Sequence, residues 1–222
     1  MSEAAWGPTE SAWTPGVLSR YDRALWDGAP LRVRDAHGAV LPFDVARWLR
    51  EPDEADETLL ARCTGPTLDI GCGPGRLAAA LAARGVPALG VDVATAAVAI
   101  ARSCGAAVLR RSVFDRLPGS GRWEVALLAD GNIGIGGNVG QLLTRVRELV
   151  VPGGTALIEV ADRDGMTEYT AVVADADGAT VATFPWAQLG ALALIDLAVP
   201  QGFRTLDRWT RHDRHFVALE RR

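Results

Sequence analysis

A doubly wound α/β sheet is the fold class this sequence predicts, on three observations. From Gly65 onward, short apolar runs alternate with alanine- and leucine-rich stretches of helical spacing. The first of these runs ends in glycines at every second position, Gly71, Gly73 and Gly75, and opens directly into a helical stretch. The runs are apolar throughout rather than half polar, as strands of a parallel sheet covered on both faces must be. A chain of 222 residues is long for one domain on a prior of roughly 150, so a single domain with an elaborated end is expected.

Residues 1–30 are rich in Gly, Pro, Ser and Trp without sustained period and predict a loosely structured arm. Trp6, Trp13, Trp26 and Trp48 fall in the first part of the chain, and rings of that size are seldom left in water, so this segment should pack on something. Leu31 and Val33 face Val40 and Leu41 across Asp35-Ala36-His37-Gly38, a small hairpin. Asp44 opens a short helix carrying Trp48 and Leu49, and residues 53–62 form a second. The repeating region then reads as strand 67–70, helix 76–84, strand 88–91, helix 94–103, strands 107–109 and 125–129, helix 138–149 with Asn138 as N-cap, and strand 155–160. Beyond it lie a hairpin of 169–173 with 180–184 about Asp175-Ala176-Asp177-Gly178, a helix 186–199, and a closing antiparallel pair 203–209 and 215–219. The division expected is an arm, hairpin and helical cap over 1–57 and an α/β unit over 58–222, forming one compact body.

Composition narrows function. All 23 basic residues are arginine, and without lysine there is no Schiff-base amine, pyridoxal-phosphate anchor or P-loop lysine. A net charge of −4 disfavours a dedicated nucleic-acid binder. No apolar run is long enough for a membrane span and none resembles a signal-peptide core, so a cytoplasmic protein is expected. Cys63, Cys72 and Cys104 are odd in number and lack paired metal spacing, which predicts reduced thiols and no metal site.

The chemistry is concentrated in Leu68-Asp69-Ile70-Gly71-Cys72-Gly73-Pro74-Gly75. Glycines let the loop adopt positive φ and let backbone N–H groups approach a ligand. A dinucleotide fingerprint would carry a third glycine or alanine where this chain has Arg76. Asp92 ends the next strand, where a carboxylate can accept both hydroxyls of a ribose. Loop and acid together indicate an adenosine-type ligand.

These residues resemble the first motifs of the class I S-adenosylmethionine-dependent methyltransferases, over about residues 58–160, and the closing helix and strand pair suit that family's ending. The resemblance implies a Rossmann-like, mostly parallel seven-stranded sheet with an N-terminal cap and an inserted β-hairpin, and S-adenosylmethionine as cofactor. It implies that Asp69 and the Gly71, Cys72, Gly73 and Gly75 loop hold the methionine portion, Asp92 the ribose, and Val93 one face of adenine. An aspartate before a Leu-Pro pair contacts adenine in many relatives. Counting back from Leu117-Pro118 gives Ser112 and Val113, with Asp115 in reserve. The second glycine cluster, residues 130–137, follows the fourth strand at a carboxyl-end position where ligands collect. Asp130 is the candidate base or cofactor contact, Asn132 and Tyr21 candidate substrate contacts, and His37, His212 and His215 remoter candidate bases. No amine-directed nucleic-acid motif occurs in this cluster, so a small-molecule acceptor is expected. The alternative is a non-catalytic nucleotide- or S-adenosylmethionine-binding or partner-interaction module.

Overall fold

A computed structural model describes residues 13–222 except Ala36, Pro42 and Ala176. Trp6 and the centres of the two predicted Asp-Ala turns therefore lie outside the described residues. Seven strands form the main sheet in the order β4-β3-β2-β5-β6-β10-β9. They are β2 (Thr67–Ile70), β3 (Ala88–Asp92), β4 (Val108–Arg110), β5 (Trp123–Leu128), β6 (Val150–Val160), β9 (Phe203–Arg211) and β10 (Arg214–Arg221). The first five run parallel, and β10 is antiparallel to both neighbours. The predicted doubly wound sheet with its closing antiparallel pair is thus the fold.

Two apolar layers flank the sheet. On one face Leu142, Leu143 and Val146 of α6 (Val139–Leu149) and Leu194 of α7 (Ala191–Ala198) bury against Leu68, Ile70 and Ile158. On the other, Leu59 and Leu60 of α3 (Glu54–Leu60) and Leu77 and Leu81 of α4 (Arg76–Ala83) bury against Leu127, Leu157 and Phe216. All four residues of β2 are buried, so the strand feeding the glycine loop lies at the sheet's centre. This leaves that loop one direction to face, the crevice beyond the strands' carboxyl ends.

The N-terminal segment departs from expectation. Residues 15–27, expected as loose arm, form α1 (Pro15–Asp27), with proline at its first turn and Gly28 in the left-handed region at φ 67°. Its buried residues Val17, Tyr21, Ala24 and Leu25 follow helical spacing, a signal masked by the surrounding Gly, Pro and Ser. The helix lies against α5 (Thr95–Ser103), whose own N-cap Ala94 offers no side-chain oxygen. Asp22 of α1 supplies it instead, accepting from Ala96 N–H at 2.8 Å.

A second, three-stranded antiparallel sheet joins β1 (Arg32–Arg34), β7 (Met166–Ala174) and β8 (Thr180–Leu189). The inserted hairpin is present, but β8 runs five residues beyond the predicted 184, and the helix expected over 186–199 is α7, beginning at Ala191 after Gly190. Pairing of Trp186 with Tyr169 and of Leu189 with Met166 overrides the local helix preference of Ala187-Gln188-Leu189. The early hairpin survives as a single bridge between Arg34 and Val40, because β1 pairs with β7 rather than only with its own turn.

Asp22→Ala removes the cap that α1 lends to α5 and should cost about 1 kcal/mol. Denaturant unfolding of the two proteins measures it, and an unchanged midpoint would show that the contact contributes nothing.

Candidate functional site

A cavity of about 280 Å³ lies at the carboxyl ends of the central strands, under α1, α2 (Val45–Trp48) and β8. Its floor is the glycine loop. Gly71, Gly73 and Gly75 all have positive φ, at 71°, 53° and 85°. Gly75 also packs on α5, where a Cβ would come within 2.5 Å of the Ala101 methyl. Asp92 braces the loop, accepting from Gly73 N–H at 2.9 Å on one oxygen and from Ala94 N–H at 2.8 Å on the other. Each oxygen keeps a lone pair for a ligand hydroxyl. Burial pushes the Asp92 carboxyl above its ordinary range against those two hydrogen bonds.

Asp69 is 2% exposed, and its Oδ2 has no hydrogen-bond partner. Desolvation, helped by the nearby Asp130 and Asp92 charges, pushes its pKa up to about 7. A buried carboxyl with an orphaned oxygen is costly to the fold, and placed in a cavity wall it is a natural partner for a ligand ammonium. Cys72 lines the cavity, but its Sγ stands 2.6 Å from where a Cβ on Gly90 would be, within the apolar cluster of Ala78, Val98 and Val108. Burial holds that thiol well above its usual range, so the sulfur is inert and its backbone alone is available to a ligand.

Val93, Ser112 and Val113 line the end of the cavity nearest β3 and β4, joined there by Phe114. Asp115 is turned back to accept from Ser112 N–H at 3.0 Å and is not among the lining residues. Asn132 lines the cavity, and its Nδ2 donates to the carbonyls of Ile70 at 3.0 Å and Gly71 at 2.8 Å, so it props the glycine loop. The Tyr21 hydroxyl lies over Gly73, 3.3 Å from a Cβ built there. Desolvation first, then Asp92, raises its pKa well above 10, so it stays a neutral hydrogen-bonding group. His37 lies on an exposed turn, His212 on the β9–β10 turn beside Glu54, and His215 beside Thr210 and Asp162; none is a lining residue.

Asp130 lies in the turn two residues beyond β5, in the left-handed region at φ 54°. Its oxygens are both engaged, Oδ1 by Arg47 Nη1 and Oδ2 by Arg76 Nη2, each at 2.6 Å. Arg76 also pairs with Asp56, whose side chain is 1% exposed. Arg214 completes the cluster, bonding Asp56 at 2.7 Å, Asp53 at 3.1 Å and Glu159 at 2.7 Å. A base role for Asp130 would therefore have to compete with the two guanidiniums that already hold its oxygens. Arg76, read from sequence only as a departure from a dinucleotide motif, joins this network through Asp56, which contacts all three arginines, and through Asp130.

Sequence reasoning also missed the cavity's roof. Trp13, Phe43, Trp48 and Trp186 line it with Tyr21, and Phe184 packs behind. The rings interlock edge-on or tilted, with centroids 5.4 Å apart for Trp13–Tyr21, 5.5 Å for Phe43–Trp186 and 5.8 Å for Phe43–Trp48. The unexplained N-terminal tryptophans were the available signal; Trp186 was hidden by its assignment to a helix.

Sheet order, glycine loop and strand-end acid together define a class I methyltransferase. The chain belongs to the methyltransferase-domain family, whose model matches residues 46–213. Solved structures agree in fold. An S-adenosylmethionine-dependent methyltransferase of Bacteroides fragilis, in complex with S-adenosylhomocysteine, is similar at a TM-score of 0.75 and 20% identity, over 94% of this chain and 95% of that one. The 1,6-didemethyltoxoflavin N1-methyltransferase of Burkholderia thailandensis is similar at 0.65 and 19%, over 100% and 93%. The glycopeptide N-methyltransferase MtfA is similar at 0.60 and 16%, over 78% and 96%. No curated protein matches the chain in sequence.

Two outcomes test the site's electrostatics. Folded Asp69 keeps its proton up to about pH 7, whereas the unfolded chain releases it near 3.8, so between those limits the folded state binds more protons. The stability this adds is complete below the lower value and is lost as pH rises through 7. Asp69→Asn cannot ionise, so in thermal melts of the ligand-free protein it should be stabilising at pH 8 by a few kcal/mol relative to its effect at pH 4; an equal effect at both would refute the raised pKa. Arg76→Ala removes one of the guanidiniums that hold Asp56 and Asp130, leaving Arg47 bonded to both, and should cost about 1.5–3 kcal/mol in denaturant unfolding.

Proposed function

We propose that this protein transfers a methyl group from S-adenosylmethionine to a small-molecule acceptor held beneath the aromatic roof. The observation that carries this reading is the convergence on one cavity of the positive-φ glycine loop, the orphaned Asp69 oxygen and the strand-end Asp92. These suit the three polar parts of that cofactor. Asp69 and the backbone of Gly71, Cys72 and Gly73 take the amino-acid end, Asp92 the ribose hydroxyls, and Val93, Ser112, Val113 and Phe114 the adenine; Gly75, expected among the contacts, is not a lining residue and shapes the loop by packing on α5. The bound structures of the fold relatives support the choice, since the B. fragilis protein holds S-adenosylhomocysteine.

The sulfonium supplies a methyl already activated toward a nucleophile. The protein's part is alignment and exclusion of water, and positioning of that kind can contribute roughly 7–11 kcal/mol in favourable cases. Asn132 fixes the carbonyls of the loop, Tyr21 closes over Gly73, and Trp13, Trp48 and Trp186 form an apolar wall from which water is displaced. Asp130 acts as a positioning residue, fixing Arg47 and therefore the adjacent Trp48. The rings lining the cavity support a catalyst over a binding-only module, because an aromatic surface suits an organic acceptor. Residues 58–222 are read as the methyltransferase unit and the preceding segment, with the β7–β8 hairpin, as its cap.

Calorimetry with S-adenosylmethionine, S-adenosylhomocysteine and NAD tests the cofactor. Both sulfur ligands should bind, and Asp92→Ala should weaken them by about 1–3 kcal/mol. Tight binding of NAD with no binding of either sulfur ligand would refute the proposal.

A further inference from the structure

A second cavity of about 340 Å³ lies on the other side of the aromatic wall. Phe43, Trp48, Trp186 and Asp130 line both cavities, so the cofactor chamber and this second space adjoin along these four residues. Two features of it are independent of each other.

The first is its charge. Its two lining arginines are both committed to carboxylates. Arg47 bonds Asp53, Asp56 and Asp130, and Arg214 bonds Asp53, Asp56 and Glu159. Together with Arg76 these are three guanidiniums against the four carboxylates Asp53, Asp56, Asp130 and Glu159, so the cluster behind the cavity already carries a surplus negative charge. The remaining charged lining residues, Asp44, Asp162 and Asp213, are all acidic and exposed at its mouth. Asp44 spends one oxygen on the Arg47 N–H as the cap of α2, and Asp162 faces His215 at 3.5 Å. An anionic acceptor would be repelled from this mouth and a cation drawn in.

The second is the wall itself. Phe43, Trp48 and Trp186 are indole and phenyl groups whose π systems attract cations, most strongly for tryptophan. A negative mouth leading to an aromatic wall is the pairing of groups that recognises an organic ammonium.

We propose that the second cavity is the subsite for a positively charged amine group carried by the acceptor, which enters past Asp44, Asp162 and Asp213. This rests on the methyl-transfer reading, since it takes the wall of rings as the acceptor side of the site. The subsite selects which molecules reach the chamber and leaves open which of their atoms is methylated.

The test titrates S-adenosylhomocysteine-loaded protein calorimetrically with phenethylamine, phenethyl alcohol and phenylacetate, which share a ring and differ in charge. Phenethylamine should bind about tenfold or more tighter than the alcohol, with phenylacetate weakest. The combined variant Asp44→Asn, Asp162→Asn, Asp213→Asn should erase the amine's advantage; asparagine still caps α2, and the loading step reports that the variant is folded. Equal or weaker binding of the amine than of the alcohol, no amine binding at millimolar concentration, or an advantage that survives in the variant would each overturn the subsite. Failure of the parent protein to load S-adenosylhomocysteine would instead overturn the methyl-transfer reading. Transfer of labelled methyl to an acceptor lacking any amine, by protein that loads normally, would overturn the subsite alone.

Discussion

The Arg76 guanidinium, wedged between the carboxylates of Asp56 and Asp130, is the contact on which the rest of the site depends. Arg76 is the first residue of the helix that leaves the glycine loop, Asp56 lies in a helix packed on the sheet, and Asp130 lies in the turn just beyond the neighbouring strand. One side chain thus joins three elements that meet at the cavity. Arg47 and Arg214 extend the tie to the segment carrying Trp48 and to the closing strand pair. Buried charges are costly to desolvate, and in this cluster each guanidinium lies against at least two carboxylates, which offsets that cost. Its gain is in position. Asp130, at positive φ, is held in a backbone conformation that a non-glycine residue seldom adopts, with its N–H donated to Glu159 at 2.6 Å.

Beside that rigid cluster sits a deliberately unsatisfied group. Asp69 has an oxygen with no partner and a pKa near 7, while on the adjacent strand Asp92 is braced by two backbone N–H groups. The contrast distinguishes support from recognition. Asp92 shapes the loop whether or not a ligand is present. Asp69 gains its missing partner only when a cation arrives, so the unliganded fold carries a strain that ligand binding relieves.

Much of the main sheet was legible because apolar runs and glycine punctuation act locally. Strand 67–70 and the Asn138-capped helix were read essentially as they stand, since a buried strand and a capped helix declare themselves within a few residues. The errors share one cause. Residues 15–27 and 186–189 take their structure from distant partners: α1 from its seat on α5, and the end of β8 from its pairing with β7. The same blindness hid Arg47, Asp56 and Arg214, whose roles arise from charges far apart in the chain.

The sequence by itself determined the α/β class, the glycine loop, the strand-end acid and the absence of lysine chemistry, because each is a matter of residue type and short spacing. Only the tertiary structure decided that Asp130 is bound by two arginines, that Asn132 supports the loop, and that aromatic residues from three separate segments meet over it. Those outcomes depend on which side chains converge in space, and convergence across a folded sheet leaves no periodic trace in the order of the residues.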